Sequence, residues 1–441
     1  MLTRRSFIKS AIALPIGGAI ATYQTLSAPA RGLVKITAVK AMSVRGGGAA
    51  AGGRGGTVAP GGRGGAAAAA GGGGGGGTMI KIETDAGIDG YGPVLGSGPL
   101  ARAVIAEFMS DQGSAKGLGL IGKDPLAIEV HHHNMFYAWA QRYRQMRILS
   151  GIDIALWDVA GKILDMPVSK LLGGNFREEI ELYSHCGHEG NFWDKAEWTA
   201  RAKELVEQPA GFRAFKVDLN DALGVIARQY VPAIGPRDVA KVTRCYDLAR
   251  EAFGPDIDID VHGHNELDIS SAIQVARAVE HIKPMFFEDA MDPNYSESWI
   301  ALRHSTNTPL LVGEDVELVE GAAPFIQNLA VDYLQPDLVN SGGITGVKKI
   351  ADYAIPYRFP ICLHNVGGLL LNLASQQFAA AVHNCDRIEC SRGSDKSDLA
   401  TGNVPIIKNG RMKVANLPGI GFLPNNDYLK AHLAEGEPWW G

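Results

Sequence analysis

From residue 180 to residue 390 the sequence repeats one pattern: a short β-rich apolar run, an amphipathic stretch with helical spacing, then another run. The runs are Ile180–Cys186, Ala214–Leu219, Ile257–Val261, Met285–Phe287, Leu310–Val312, Tyr333–Leu334, Ile361–Leu363 and Arg387–Cys390. From the third onward their ends fall about 25 residues apart, the length of one strand plus one helix and its turns. Eight such units close on themselves, so the pattern predicts an α/β fold, a (β/α)8 barrel over residues 177–404. An open doubly wound sheet is the competing arrangement, and it would carry a glycine-rich phosphate turn after its first strand. The one formal match to G-x-G-x-x-G, Gly117 to Gly122, follows no strand, and Pro125 interrupts the helix it would have to open. No P-loop and no G-x-S-x-G elbow are present.

Residues 31–176 read differently. Val34–Val44, Thr78–Thr84 and Ile88–Pro93 are strand-like, and Leu100–Met109, Ala127–Ile148 and Ile152–Leu164 show helical spacing, which together predict a small α+β unit. Between the first two strands lie 32 positions, Gly46 to Gly77, of which 18 are Gly and 9 are Ala. Such a tract cannot bury enough surface to offset its ordering entropy. The run His131-His132-His133 does not suit a metal, because adjacent helical residues point about 100° apart; it is expected on a solvated helix face.

The first 30 residues read as an export signal. Arg4-Arg5 is followed by Phe7 and Lys9, a short apolar stretch from Ala11 to Ala21, and Ala28-Pro29-Ala30 as a small-residue cleavage site. This predicts passage through the twin-arginine translocase and a periplasmic mature protein without a membrane anchor. Removing that segment leaves 39 basic against 47 acidic residues, a balance that argues against nucleic acid and anionic membranes as partners. The five cysteines are odd in number, lack a C-x-x-C spacing and sit mostly in apolar runs, as buried thiols do.

The chemistry lies at the ends of the runs, where a barrel exposes its catalytic side chains. The third, fourth and fifth end at Asp260, Glu288 and Glu314. Three converging carboxylates raise one another's pKa values, and a divalent cation resolves the repulsion; an all-oxygen set favours Mg²⁺ over Zn²⁺. Acids after strands also cap helices, and Asp289 or Asp315 could fill that role. The sixth and seventh runs end near Asp337 and His364, where a carboxylate can fix the imidazole tautomer and raise its basicity. His262 stands two residues past Asp260 on the same face, Lys216 sits near the end of the second run, and Glu389 near the end of the eighth. Singly, each of these could be a salt bridge or a cap; together they ring one barrel mouth.

The chain resembles the enolase superfamily, in its mandelate racemase and muconate lactonizing branch, and is most similar there to acid-sugar dehydratases of the galactonate dehydratase kind. The resemblance rests on Ile80-Lys81-Ile82-Glu83-Thr84-Asp85-Ala86-Gly87, on Ile152-Asp153-Ile154-Ala155-Leu156-Trp157-Asp158 with Leu171-Leu172-Gly173-Gly174, on Phe286-Phe287-Glu288-Asp289, and on Gln335-Pro336-Asp337 leading to Gly342-Gly343-Ile344-Thr345. It implies that the N-terminal unit, joined by the C-terminal segment 405–441, caps the barrel mouth. It implies Asp260, Glu288 and Glu314 as Mg²⁺ ligands, His364 with Asp337 as the base, His262 as the group that protonates a departing 3-hydroxyl, and Glu389 as a hydrogen-bond partner of the substrate carboxylate. Lys216 joins the catalytic set, and Asp218, Asn340, His185 and His188 are assigned to substrate. The implied reaction is loss of water from an acid sugar to give a 2-keto-3-deoxy acid, in a homo-oligomer. Two features depart from the branch: Lys216-Val217-Asp218 lacks its second strand-two lysine, and the Gly/Ala tract stands in place of its first, substrate-selecting loop. An epimerase, another lyase, or a non-catalytic binding barrel are the competing readings.

Overall fold

A computed structural model describes residues 34–45, 77–109, 119–138, 145–188, 190–391, 398–402 and 405–440. The export segment, and the Gly/Ala tract up to residue 76, lie outside the described residues. Three antiparallel strands, β1 (Ile36–Ser43), β2 (Thr78–Thr84) and β3 (Gly90–Val94), form the N-terminal sheet in that order. Eight parallel strands follow: β4 (Glu179–His185), β5 (Ala214–Asp218), β6 (Asp258–His262), β7 (Phe286–Glu288), β8 (Leu310–Val312), β9 (Tyr333–Leu334), β10 (Ile361–Leu363) and β11 (Cys385–Glu389). Each pairs with its neighbour in sequence, and β11 closes on β4 through Ile388 opposite Leu182 and Glu389 opposite Tyr183. The chain is a (β/α)8 barrel with an N-terminal α+β unit.

Alternation along the strands separates two layers. On β7, Phe287 joins the large apolar core, whereas Phe286 packs with Leu311, Cys362 and Tyr333 in a small separate cluster. Glu288, two residues beyond Phe286, therefore shares the face of the small cluster. Helices begin where the sequence offers caps: Asp194 accepts from Glu197 N, Asp268 accepts from Ser270 N and Ser271 N, and Pro236 starts Pro236–Phe253. All five cysteines are buried, and none is in a disulfide. Among the described residues no helix is long and apolar enough to cross a membrane.

The α+β unit departs from its sequence reading in two ways. Ala127–Ile148 is not one helix; Ile128–His133 passes into a π-helical turn at Asn134–Ala138, and Met146–Ile163 is a separate continuous helix. Gly151 does not break that helix, because it is a packing residue: side chains at Gly90, Gly92 and Gly151 would strike the backbone of the facing helix or strand. His131 and His132 are not solvated, being 3% and 1% exposed. His131 Nε2 meets Asp124 O at 2.8 Å and His132 Nδ1 lies 3.3 Å from Asp153 Oδ2.

The helix Met146–Ile163 also grips the barrel. Ser150 Oγ accepts from Gly342 N at 3.2 Å, Asp153 Oδ1 from Thr345 N at 3.0 Å, and Trp157 Nε1 donates to Thr345 Oγ1 at 2.9 Å. The Ser150 and Asp153 oxygens satisfy orphan donors at the start of the helix Gly343–Ala354. The C-terminal segment does two things rather than one. Its hairpin, β12 (Ile406–Lys408) and β13 (Arg411–Lys413), pairs antiparallel with β4, and only beyond it does the chain return to the N-terminal unit. There Ile420 N donates to Asp158 Oδ1 at 2.8 Å, and Glu437 takes Ser43 N at 2.9 Å and Arg102 Nη1 at 2.6 Å.

Candidate active site

Strand register sets the predicted residues on two adjacent levels of the barrel mouth. His185 pairs with Lys216, Lys216 with Asp260, Asp218 with His262, His262 with Glu288, and an isolated bridge sets Asp337 beside His364. Lys216 is fully buried, with Nζ 2.6 Å from Glu288 Oε1 and 3.1 Å from Glu389 Oε2. Burial favours loss of its proton, yet Glu288, Glu389, Asp260 and Glu314 outweigh burial and hold its pKa well above the usual lysine value.

The three acids differ in what compensates them. Burial opposes charge on Glu288, but Lys216 and His262 hold its carboxyl down at about 2. Its other oxygen accepts from Gln335 Nε2 at 3.0 Å. Burial likewise opposes charge on Glu314, and His364 at 3.0 Å with the Arg228 guanidinium holds it well below the carboxylate range. Asp260 is helped by Lys216, though too little to compensate it. It is fully buried, neither oxygen has a hydrogen-bond partner among the described residues, and burial followed by the charge of Glu288 pushes its carboxyl well up. A buried carboxylate with both oxygens orphaned fits a cation ligand. Two groupings have ligand atoms within 4.8 Å of one another, His262 with Glu288 and Glu314, and His185 with Asp218 and His262; Asp260 sits a register step lower, opposite Phe286. The neighbouring Asp289 turns to the backbone and accepts from Gly313 N at 3.1 Å.

Two Asp–His pairs flank these acids. His364 Nδ1 meets Asp337 Oδ2 at 2.7 Å, and its Nε2 faces Glu314 Oε2 at 3.0 Å and Glu389 Oε2 at 3.7 Å. Burial opposes a proton on this ring, but Glu314, Glu389 and the Asp337 hydrogen bond raise its pKa well above the usual value. His262 Nδ1 meets Asp218 Oδ1 at 2.7 Å, and burial, Lys216 and His264 lower its pKa.

The residues assigned to substrate are rearranged. Asp218 is taken up by two imidazoles, His262 and His185, the latter through Nε2 at 2.8 Å. Asn340 spends its amide on structure, donating to Glu314 O at 2.8 Å and accepting from Arg147 Nε at 3.1 Å. His188 buries its ring against Phe192 and Trp198, with centroids 4.6 and 4.5 Å away. Arg228, which binds Glu314 and lies 3.3 Å from Asp315, carries no sequence signal, for it lies in an irregular loop at φ 63°. Gln335 was visible only as part of Gln335-Pro336-Asp337.

With this geometry in hand, residues 197–428 match the family described as enolase C-terminal domain-like, and residues 77–173 match the mandelate racemase/muconate lactonizing enzyme N-terminal domain. The chain belongs to the mandelate racemase/muconate lactonizing family of the enolase superfamily. Among curated members it is 30% identical over 367 residues to a D-xylonate dehydratase of Haloferax volcanii, covering 81% of this chain and 86% of that one. It is 29% identical over 375 residues to a D-galactonate dehydratase of Variovorax paradoxus, covering 82% and 92%. A crystal structure of an enolase superfamily member from Salmonella Typhimurium superposes with a TM-score of 0.75 at 27% identity, over 92% of this chain and 99% of that one. The family's two domains correspond to the α+β unit and the barrel.

Proposed function

We propose that this superfamily member is an acid-sugar dehydratase, a hydro-lyase that converts an aldonate to its 2-keto-3-deoxy acid, and that it uses Mg²⁺. The observation that carries the reading is the pair of Asp-oriented histidines flanking one buried acidic cluster. Relatives that act on D-xylonate and D-galactonate support the substrate class. Mg²⁺ held by Asp260, Glu288 and Glu314 would supply positive charge to the substrate carboxylate, without which its α-proton is too weakly acidic for a histidine. His364 Nε2 accepts that proton. The groups that raise its pKa are Glu314, Glu389 and Asp337, and neutralising the first of them frees the lone pair. Lys216, held protonated, and Glu389 lie on the side of the developing carboxylate charge. His262 delivers a proton to the 3-hydroxyl, the C3–O bond breaks, water leaves, and the enol tautomerises to the ketone. The twin-arginine pattern at Arg4-Arg5 supports export and work in the periplasm.

Incubating the protein with a library of aldonic and uronic acids, with and without EDTA, tests the reading. The expected result is EDTA-sensitive 2-keto product from at least one aldonate, restored by Mg²⁺. Epimerised substrate without keto product would overturn it.

A further inference from the structure

We propose that Asp218, itself anchored by His185, is a positioning residue that holds the His262 imidazole with Nε2 turned to the reacting face, so that His185, Asp218 and His262 act as one unit. The inference rests on the dehydratase reading and extends it to residues outside the Asp337–His364 pair.

The hydrogen bonds leave one arrangement of protons. Gly187 N donates to His185 Nδ1 at 3.1 Å, so that nitrogen carries a lone pair and the ring proton sits on Nε2. From there it points at Asp218 Oδ1, 2.8 Å away. The same oxygen receives His262 Nδ1 at 2.7 Å, and a carboxylate can only accept, so Nδ1 of His262 carries a proton. Gly187 makes this possible with a φ of 56°, in the left-handed region where glycine is at ease.

The far nitrogen of His262 is thereby fixed in direction. Its Nε2 is buried, lies 3.4 Å from Glu288 Oε1 and has no hydrogen-bond partner among the described residues. The ring is wedged between His185, edge-on at 5.8 Å between centroids, and His264, tilted at 4.0 Å. An imidazole held at Nδ1 and left open at Nε2, beside the acidic cluster, exchanges protons at a single point: Nε2 takes one from solvent, forming the imidazolium, and that proton passes to the departing hydroxyl. Asp218 occupies the position at which the branch often carries its second lysine, so the chain has an orienting acid where a second base would stand. Both contacts fall on Oδ1, so that oxygen is committed to the two imidazoles.

The test compares Asp218→Asn, His185→Phe and the parent protein on an aldonate that the parent turns over and on its 3-deoxy-3-fluoro analogue. Fluoride is the conjugate base of a much stronger acid than water and leaves with less need of a proton. With Asp218→Asn, kcat for loss of water is expected to fall on the order of 10²- to 10⁴-fold, as for an Asp that sets a histidine tautomer. KM, exchange of the α-proton with solvent deuterium and release of fluoride should stay within about threefold. His185→Phe should show the same split at roughly tenfold. Loss of water unchanged in Asp218→Asn would overturn the proposal, as would an equal fall of fluoride release and deuterium exchange. An independent reading comes from ¹⁵N-histidine NMR of the full chain, with His262 assigned by its absence in His262→Asn. The proton is expected on Nδ1 in the parent and redistributed in Asp218→Asn; an unchanged tautomer would overturn the proposal. Should the parent turn over no aldonate, the dehydratase reading fails, and the NMR arm still decides the positioning of His262.

Discussion

The two Asp–His pairs stand on the third and seventh of eight barrel strands, on opposite sides of the mouth, and are built alike up to the ring. Each imidazole gives Nδ1 to a carboxylate at 2.7 Å. They part beyond it. His364 looks out on Glu314 and Glu389, and its affinity for a proton is raised far above normal. His262 is more lowered by burial, Lys216 and His264 than raised by its carboxylate neighbours. The orienting Asp decides where the proton sits; the next layer of charge decides how firmly it is held. The two rings therefore hold a proton with unequal strength, His364 more firmly than His262.

Removing either ring breaks the comparison most directly. His364→Asn should lower both α-proton exchange and loss of water by about 10³-fold or more, whereas His262→Asn should keep exchange and lose elimination. Proton NMR in deuterated buffer separates the two, and exchange lost in both variants would mean that the pairs work as a single unit. Lys216→Met removes the cation between Glu288 and Glu389. Leaving buried carboxylates uncompensated should cost about 3–5 kcal/mol in urea unfolding, and with the lysine gone the pKa of His262 should rise toward that of its counterpart. A variant as stable as the parent would show that Lys216 does not balance the mouth. Glu288→Gln takes one charge from the acidic cluster without opening a cavity, and calorimetry should record a fall in Mg²⁺ affinity of about 10²-fold. Unaltered affinity would refute the ligand assignment.

His131 supplies the control with the smallest effect, a buried histidine whose ring meets a backbone carbonyl instead of a carboxylate. Burial lowers its pKa below the usual 6.5. The folded state thus holds the proton less well than the unfolded chain, so its contribution to stability is present above about pH 6.5 and is lost as the pH falls. His131→Gln should flatten the acid side of a plot of Tm against pH, and a curve parallel to the parent's would show that His131 titrates as in the unfolded chain.

Much of this was legible in the sequence where one strand sufficed to read it. Leu310–Val312, Tyr333–Leu334 and Ile361–Leu363 are strands at their sequence-read bounds, and the acids and histidines at strand ends gather on adjacent levels of one mouth. What depends on a neighbour was not legible. The role of Asp218 comes from its register against His262 and from a turn at Gly187 that aims His185 at it. Gly151 reads as a helix break until the sheet that it packs against is known, and the burial of His131 and His132 is set by the surrounding tertiary packing. Arg228 lies in a loop without period, so no spacing marked it.

The path of the chain between its ends also bears on when the molecule can finish folding. The bonds from Arg147, Ser150, Asp153 and Trp157 to the barrel join residues 188 to 193 apart, and that between Ser43 and Glu437 spans 394. During synthesis the first strand therefore waits for Glu437 before this bond can form, and the helix Met146–Ile163 waits for the sixth barrel strand to pass. Contacts this distant close late and slowly. The final locking of this protein waits for the segment around Glu437, and the first strand stays incomplete until then.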